Sequence, residues 1–175
     1  LFEYMNSKAS GVKYIIAPHE VHSSNIDRII KSVEAKIIRY SQANIETVNE
    51  NQVLVIDNIG MLSSLFQYGN IAYIGGGFGK AIHNLLEPIT FGLPVIFGPK
   101  HQKFQEALSL KLSGGGFALD SEKELLPIFE KLQEEKFHQQ ASAEAIGYLL
   151  KSQGSTEMIL QYMIKAFPDI FPSKS

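Results

Sequence analysis

Ile71-Ala72-Tyr73-Ile74-Gly75-Gly76-Gly77-Phe78-Gly79 decides the fold. Its first four residues form an apolar run with isoleucine at both ends, which reads as a short strand covered on both faces. The run passes straight into three glycines, and the loop they begin opens onto a helical pattern from Asn84 to Phe91. Gly92-Leu93-Pro94 breaks that helix, and Val95-Ile96-Phe97 forms the next strand, closed by Gly98-Pro99. Strand, loop, helix and strand in this order make the crossover unit of a parallel sheet, because a parallel neighbour cannot be reached without a returning connection.

The same alternation extends in both directions. Upstream, Lys13 to Ala17 is an apolar run ended by Pro18, and Gln52 to Asp57 is a second buried strand. Between them Ile26, Ile29, Ile30, Val33 and Ile37 fall at helical spacing, which predicts a helix over 23–40 capped by Ser23 or Ser24. Glu46 to Val48 reads as a short strand, and Met61, Leu62, Leu65 and Phe66 as one face of a helix over 60–68. Downstream come a helix over 104–112, a strand over 117–119, helices over 121–135 and 139–150, and a last amphipathic helix from Thr156 to about Ala166. The fold class is therefore α/β, a doubly wound parallel sheet. Leu1 to Ser10 reads as the end of a helix before a turn at Ser10-Gly11, so an amino-terminal partner domain is expected to be absent from this chain. Residues 1–167 are expected to form one domain and 168–175 a loose carboxyl-terminal tail.

Composition narrows the function. At 175 residues with 45% hydrophobic content, the chain can bury one sizeable core. A formal charge of -2 argues against a dedicated nucleic-acid binder, which needs a basic face. The chain has no cysteine, which excludes disulfides and thiolate metal sites, and its five histidines show no metal-type spacing. We expect no metal site and no cofactor. No apolar run reaches the roughly 18 residues a membrane span needs, so this chain is expected to be soluble.

In open parallel sheets, ligands bind beyond the carboxyl ends of the strands. Four loops fall there: 18–22, 57–60, 75–84 and 98–102. Gly75, Gly76 and Gly77 can hold positive φ and let backbone approach a phosphate near a helix N-terminus; equally, they can make a tight turn that binds nothing. His83-Asn84 falls where the helix cap belongs, and Glu87 projects from its first turn. There its carboxylate can accept hydrogen bonds from vicinal ribose hydroxyls, or simply complement the helix dipole. The backbone of Asp57-Asn58-Ile59-Gly60 can read a base edge or serve as cap and turn. His19, His22, His83 and His101 lie in or beside these loops, where a site role suits them better than a core role. Lys80, Lys100 and Lys103 on the same rim can neutralise an anion or remain solvated.

These residues carry a resemblance. Asp57-Asn58-Ile59-Gly60-Met61-Leu62, Tyr68-Gly69, Ile71 to Phe78, His83-Asn84-Leu85-Leu86-Glu87-Pro88 and Gly92 to Pro99 together resemble the donor-site region of bacterial 3-deoxy-D-manno-octulosonic acid (Kdo) transferases. The resemblance implies the Rossmann-like carboxyl-terminal half of a GT-B glycosyltransferase, one that binds CMP-Kdo and, with its amino-terminal acceptor domain, transfers Kdo to a lipid A precursor with inversion. It implies a metal-independent reaction in lipopolysaccharide biosynthesis at the cytoplasmic face of the bacterial inner membrane. The catalytic base would lie in the absent domain, leaving this chain alone inactive.

Carried over by position, Glu87 would hold the ribose hydroxyls, and Asn84 with Gly75, Gly76 and Gly77 would lie against phosphate and sugar. Ile59, Gly60 and Met61 would line the cytosine pocket. The family commonly shows proline, arginine and histidine where this chain reads Pro18-His19-Glu20, so His19 is the candidate substitute for the missing arginine charge. Two alternatives are a GT-B domain using a UDP-sugar and a non-catalytic nucleotide-binding module; the second would not require Glu87.

Overall fold

The computed structural model describes Met5, residues 11–167 and Ile170. The elements alternate as the sequence implies: β1 (Tyr14–Ile16), α1 (Ser23–Ser32), β2 (Ile37–Arg39), α2 (Ile45–Val48), β3 (Val53–Val55) and α3 (Leu62–Leu65). They continue with β4 (Ala72–Ile74), α4 (Leu86–Thr90), β5 (Val95–Phe97), α5 (Gln105–Ser113), β6 (Gly116–Ala118), α6 (Leu125–Leu132), α7 (Glu135–Ser152) and α8 (Ser155–Ala166). Among the described residues the strands form two three-stranded sheets, ordered β1-β3-β2 and β4-β5-β6. Every pairing is parallel. The chain divides into two compact units, one of residues 1–69 with 121–129, the other of residues 70–120 with 130–175.

In the first unit β3 is the central strand, and its alternate residues Val53 and Val55 are fully buried. Ile26, Ile29 and Val33 belong to the same buried cluster, with Met5, and Tyr14, Ile16, Ile30 and Ile37 pack against it. Here two expectations are corrected. The helix predicted to reach Tyr40 stops at Ser32: Val33 turns extended (φ -114, ψ 121), and Ile37 opens β2, opposite Val53. A four-residue interval satisfies both helical and strand periodicity, so the Val33 to Ile37 spacing did not distinguish them. The residue before the helix is His22, and no side chain caps it, so neither Ser23 nor Ser24 has the expected role.

A third correction concerns Glu46 to Val48, which is helical. The Asn44 side chain accepts from the backbone N–H groups of Glu46 and Thr47 at 3.0 and 2.8 Å, and the Thr47 hydroxyl accepts from Asn44 N–H at 3.1 Å. This reciprocal capping box fixes one helical turn on β-branched residues that favour strands.

In the second unit β5 is central, and Val95, Ile96 and Phe97 are all fully buried, as expected of a strand covered on both faces. Leu85, Ile89, Ala107, Leu110 and Ala145 contribute fully buried side chains around it. Helices α4 and α5 both pack on α7, and the His138 ring of α7 meets the Asn70 carbonyl at 2.8 Å, just before β4. The helix expected over Leu1 to Ser10 lies outside the described residues except for Met5, which is helical and buried. The tail expected over 168–175 lies outside them except for Ile170. Among the described residues no helix is long and apolar enough to cross a membrane.

Candidate functional site

In the second unit the chain leaves β4 into a turn over 75–78. Gly76 holds φ +88, and a Cβ there would sit 2.1 Å from the Ala81 carbonyl oxygen, so only glycine fits. Gly77 is required for another reason. Its Cβ would meet the backbone N and Cα of Gly98, each at 2.6 Å, so the bend after β4 lies backbone to backbone on the loop after β5. Gly77 thus makes a close backbone approach to Gly98. A Cβ on Gly75 would make only an ordinary 3.8 Å contact with the His83 ring.

Further bonds hold the bend. Gly79 N–H donates to the Gly76 carbonyl at 2.8 Å, His83 N–H to Gly75 at 3.2 Å, and Lys100 N–H to Gly77 at 3.1 Å. The Lys100 ammonium donates to the Gly79 carbonyl. The ammonium is thus engaged by the backbone of the glycine loop. His83 itself is exposed, with its ring beside Gly75 and Gly76.

Helix α4 begins two residues later than the pattern predicts, so the cap position expected at His83-Asn84 falls instead on Leu85, with no side-chain cap; Asn84, just before it, accepts from Leu86 N–H at 2.9 Å through its side-chain oxygen. The Asn84 amide nitrogen donates to Glu87 Oε1 at 2.9 Å. Asn84 and Glu87 are thereby locked together at the foot of α4, with Asn84 exposed and Glu87 half-buried. The Asn84 contact orients the carboxylate.

The first unit places its expected residues differently. After β3, Ile59 is 86% exposed, and Gly60 has φ +94 with open space where a Cβ would stand, nothing lying within 4 Å of that point. Asn58 donates to the Met61 sulfur at 3.0 Å, which closes this small loop. Asp57 anchors it, accepting from the Ser41 N–H at 3.0 Å and the Ser41 hydroxyl at 2.5 Å. Partial burial alone would raise the Asp57 pKa; the Ser41 hydroxyl, the Ser41 and Asp57 N–H groups and Arg39 outweigh it and hold the carboxyl below its ordinary value. Arg39 also pairs with Asp27. His19 is exposed in the bend after β1.

One rim residue is corrected. His101 is buried, 4% exposed, with its Nδ1 at 3.2 Å from the Gly98 carbonyl and its ring edge-on to Phe97 at 5.2 Å between centroids. Its place is in the packing beneath the rim. Among the described residues no three His, Cys, Asp or Glu side chains cluster as metal ligands would.

Parallel sheets with strand and helix in alternation define a Rossmann-like α/β fold of the GT-B type. A solved structure, the carboxyl-terminal CMP-Kdo binding domain of WaaA from Acinetobacter baumannii, shares the fold with a TM-score of 0.66 at 20% identity, over 84% of this chain and 78% of that one. In sequence the chain is similar to 3-deoxy-D-manno-octulosonic acid transferases. It is 32% identical to that of Aquifex aeolicus over 127 residues, 71% of this chain and 35% of the relative. Against that of Chlamydia pneumoniae it is 45% identical over 82 residues, 45% of this chain and 18% of the relative. The chain thus spans about a third or less of these relatives' length. No family model matches it.

Proposed function

We propose that this chain binds the donor in a glycosyltransferase that moves Kdo from CMP-Kdo to a hydroxyl of a lipid A precursor at the cytoplasmic face of the bacterial inner membrane. The acceptor oxygen bonds the anomeric carbon as the bond to the CMP phosphate breaks, inverting that carbon. The acceptor proton passes to a base outside these 175 residues, and CMP departs without a metal ion, its charge met by backbone N–H groups and basic side chains. The observation that carries this reading is the Asn84–Glu87 pair, a carboxylate oriented by an amide at the start of its own helix in the unit that also holds the glycine bend. Such a carboxylate suits the two vicinal hydroxyls of a ribose.

Calorimetry with CMP, UDP and GDP tests the reading. CMP is expected to bind at least tenfold more tightly than the other two, equally well in EDTA, while the chain alone transfers no Kdo. Preference for UDP would move the assignment to a UDP-sugar enzyme, and binding lost in EDTA would overturn the metal-free step.

A further inference from the structure

The second unit contains a buried polar side chain that the binding scheme leaves without a task. His101 sits in an apolar setting against Phe97, where a polar ring is costly unless it is hydrogen-bonded. Its bond goes to the Gly98 carbonyl. A carbonyl oxygen only accepts, so Nδ1 carries the proton and the tautomer is fixed.

Gly98 is not an incidental partner. It is the residue whose backbone supports Gly77, and a Cβ on Gly98 would fall 2.7 Å from the Gly77 carbonyl carbon. Lys100, which lies between Gly98 and His101 in the chain, donates its N–H to the Gly77 carbonyl at 3.1 Å and its ammonium to Gly79. The loop after β5 therefore grips the glycine bend through Lys100, while His101 fixes the backbone on which the bend rests. Phe104 N–H in turn donates to the His101 carbonyl at 2.9 Å, tying this loop to the start of α5.

We propose that His101 is a positioning residue for donor binding: by holding the Gly98 carbonyl it sets the conformation in which Gly75, Gly76 and Gly77 meet the nucleotide. The inference rests on the donor-binding reading and concerns a side chain buried beneath the loop. It makes the Nδ1 proton, and not the volume of the ring, the required feature.

The test compares H101N, whose amide N–H takes the Nδ1 position, with H101Q, whose N–H reaches the Nε2 position, and H101L, which has none. Two quantities are measured on the full chain: amide exchange at Lys100 without ligand, and CMP affinity by calorimetry. H101N is expected to keep both within about threefold of wild type, while H101Q and H101L exchange at least tenfold faster at Lys100 and bind CMP at least tenfold more weakly. If H101L does not fold, the contrast between H101N and H101Q carries the test. Equal behaviour of those two variants, or unchanged exchange and affinity in H101L, overturns the proposal. Should wild type bind no CMP, the donor reading falls, while the exchange contrast still decides whether His101 holds the bend.

Discussion

The glycine-containing loops after β3 and β4 are built on opposite principles. The loop after β3 is open: Gly60 needs glycine for its φ of +94 alone, and one carboxylate, Asp57, ties the loop down through Ser41. The loop after β4 is closed on itself: Gly77 needs glycine because another backbone occupies the space a side chain would take. A glycine in the first is a conformational choice, whereas in the second it is a packing requirement. The first loop should therefore tolerate substitution at a modest backbone cost, and the second should not.

The largest effect is expected at Gly77. An alanine Cβ there must displace Gly98 backbone, which cannot swing away as a side chain would, so G77A should cost about 2 kcal/mol by overpacking and lower Tm by roughly 4–8 °C. Thermal denaturation checks this, and a neutral G77A would break the contrast. Gly60→Ala should cost less, about 1 kcal/mol for the left-handed backbone, with nothing nearby to clash. Urea titration of G60A measures it directly. The smallest effect should be at Gly75, where a methyl group meets only the His83 ring at ordinary distance; G75A should stay within about 0.5 kcal/mol of wild type.

The anchor of the open loop makes a pH prediction. Because the folded Asp57 pKa lies below its unfolded value, ionised Asp57 stabilises the fold above the ordinary carboxylate range, and that contribution disappears as pH falls through the folded pKa. Ser41→Ala should therefore lower stability at neutral pH, with the difference from wild type shrinking on acidification. Denaturant titrations at neutral and acidic pH check the sign, and a difference that grows in acid would contradict the assignment of Ser41 as the main favourable partner.

Much of the architecture behind this contrast is legible in the sequence. Buried parallel strands such as Val95-Ile96-Phe97 announce themselves because both faces are covered, and Asn84 and Glu87 can be placed together at one helix start because residues three apart share a helical turn, although the cap position itself is Leu85. The misreadings have physical causes. Ile37 falls at an interval common to helix and strand, and a side-chain capping box overrides the strand preference of Ile45 to Val48. The packing of Gly77 on Gly98 joins residues far apart in the chain, so no local pattern reveals it. His101 reads as a rim residue because it stands in a polar loop beside Lys100 and Gln102, yet its ring turns inward onto Phe97.

The most direct measurement is an NMR titration of wild type and Glu87→Ala with CMP and 2′-deoxy-CMP. Wild type should bind CMP with amide shifts concentrated at 75–77 and 84–87, and E87A should bind it at least tenfold more weakly, about 1.4 kcal/mol, while 2′-deoxy-CMP should lose much less on the same substitution. Full CMP affinity in E87A, or shifts that avoid the glycine bend, would contradict a donor site built on that carboxylate.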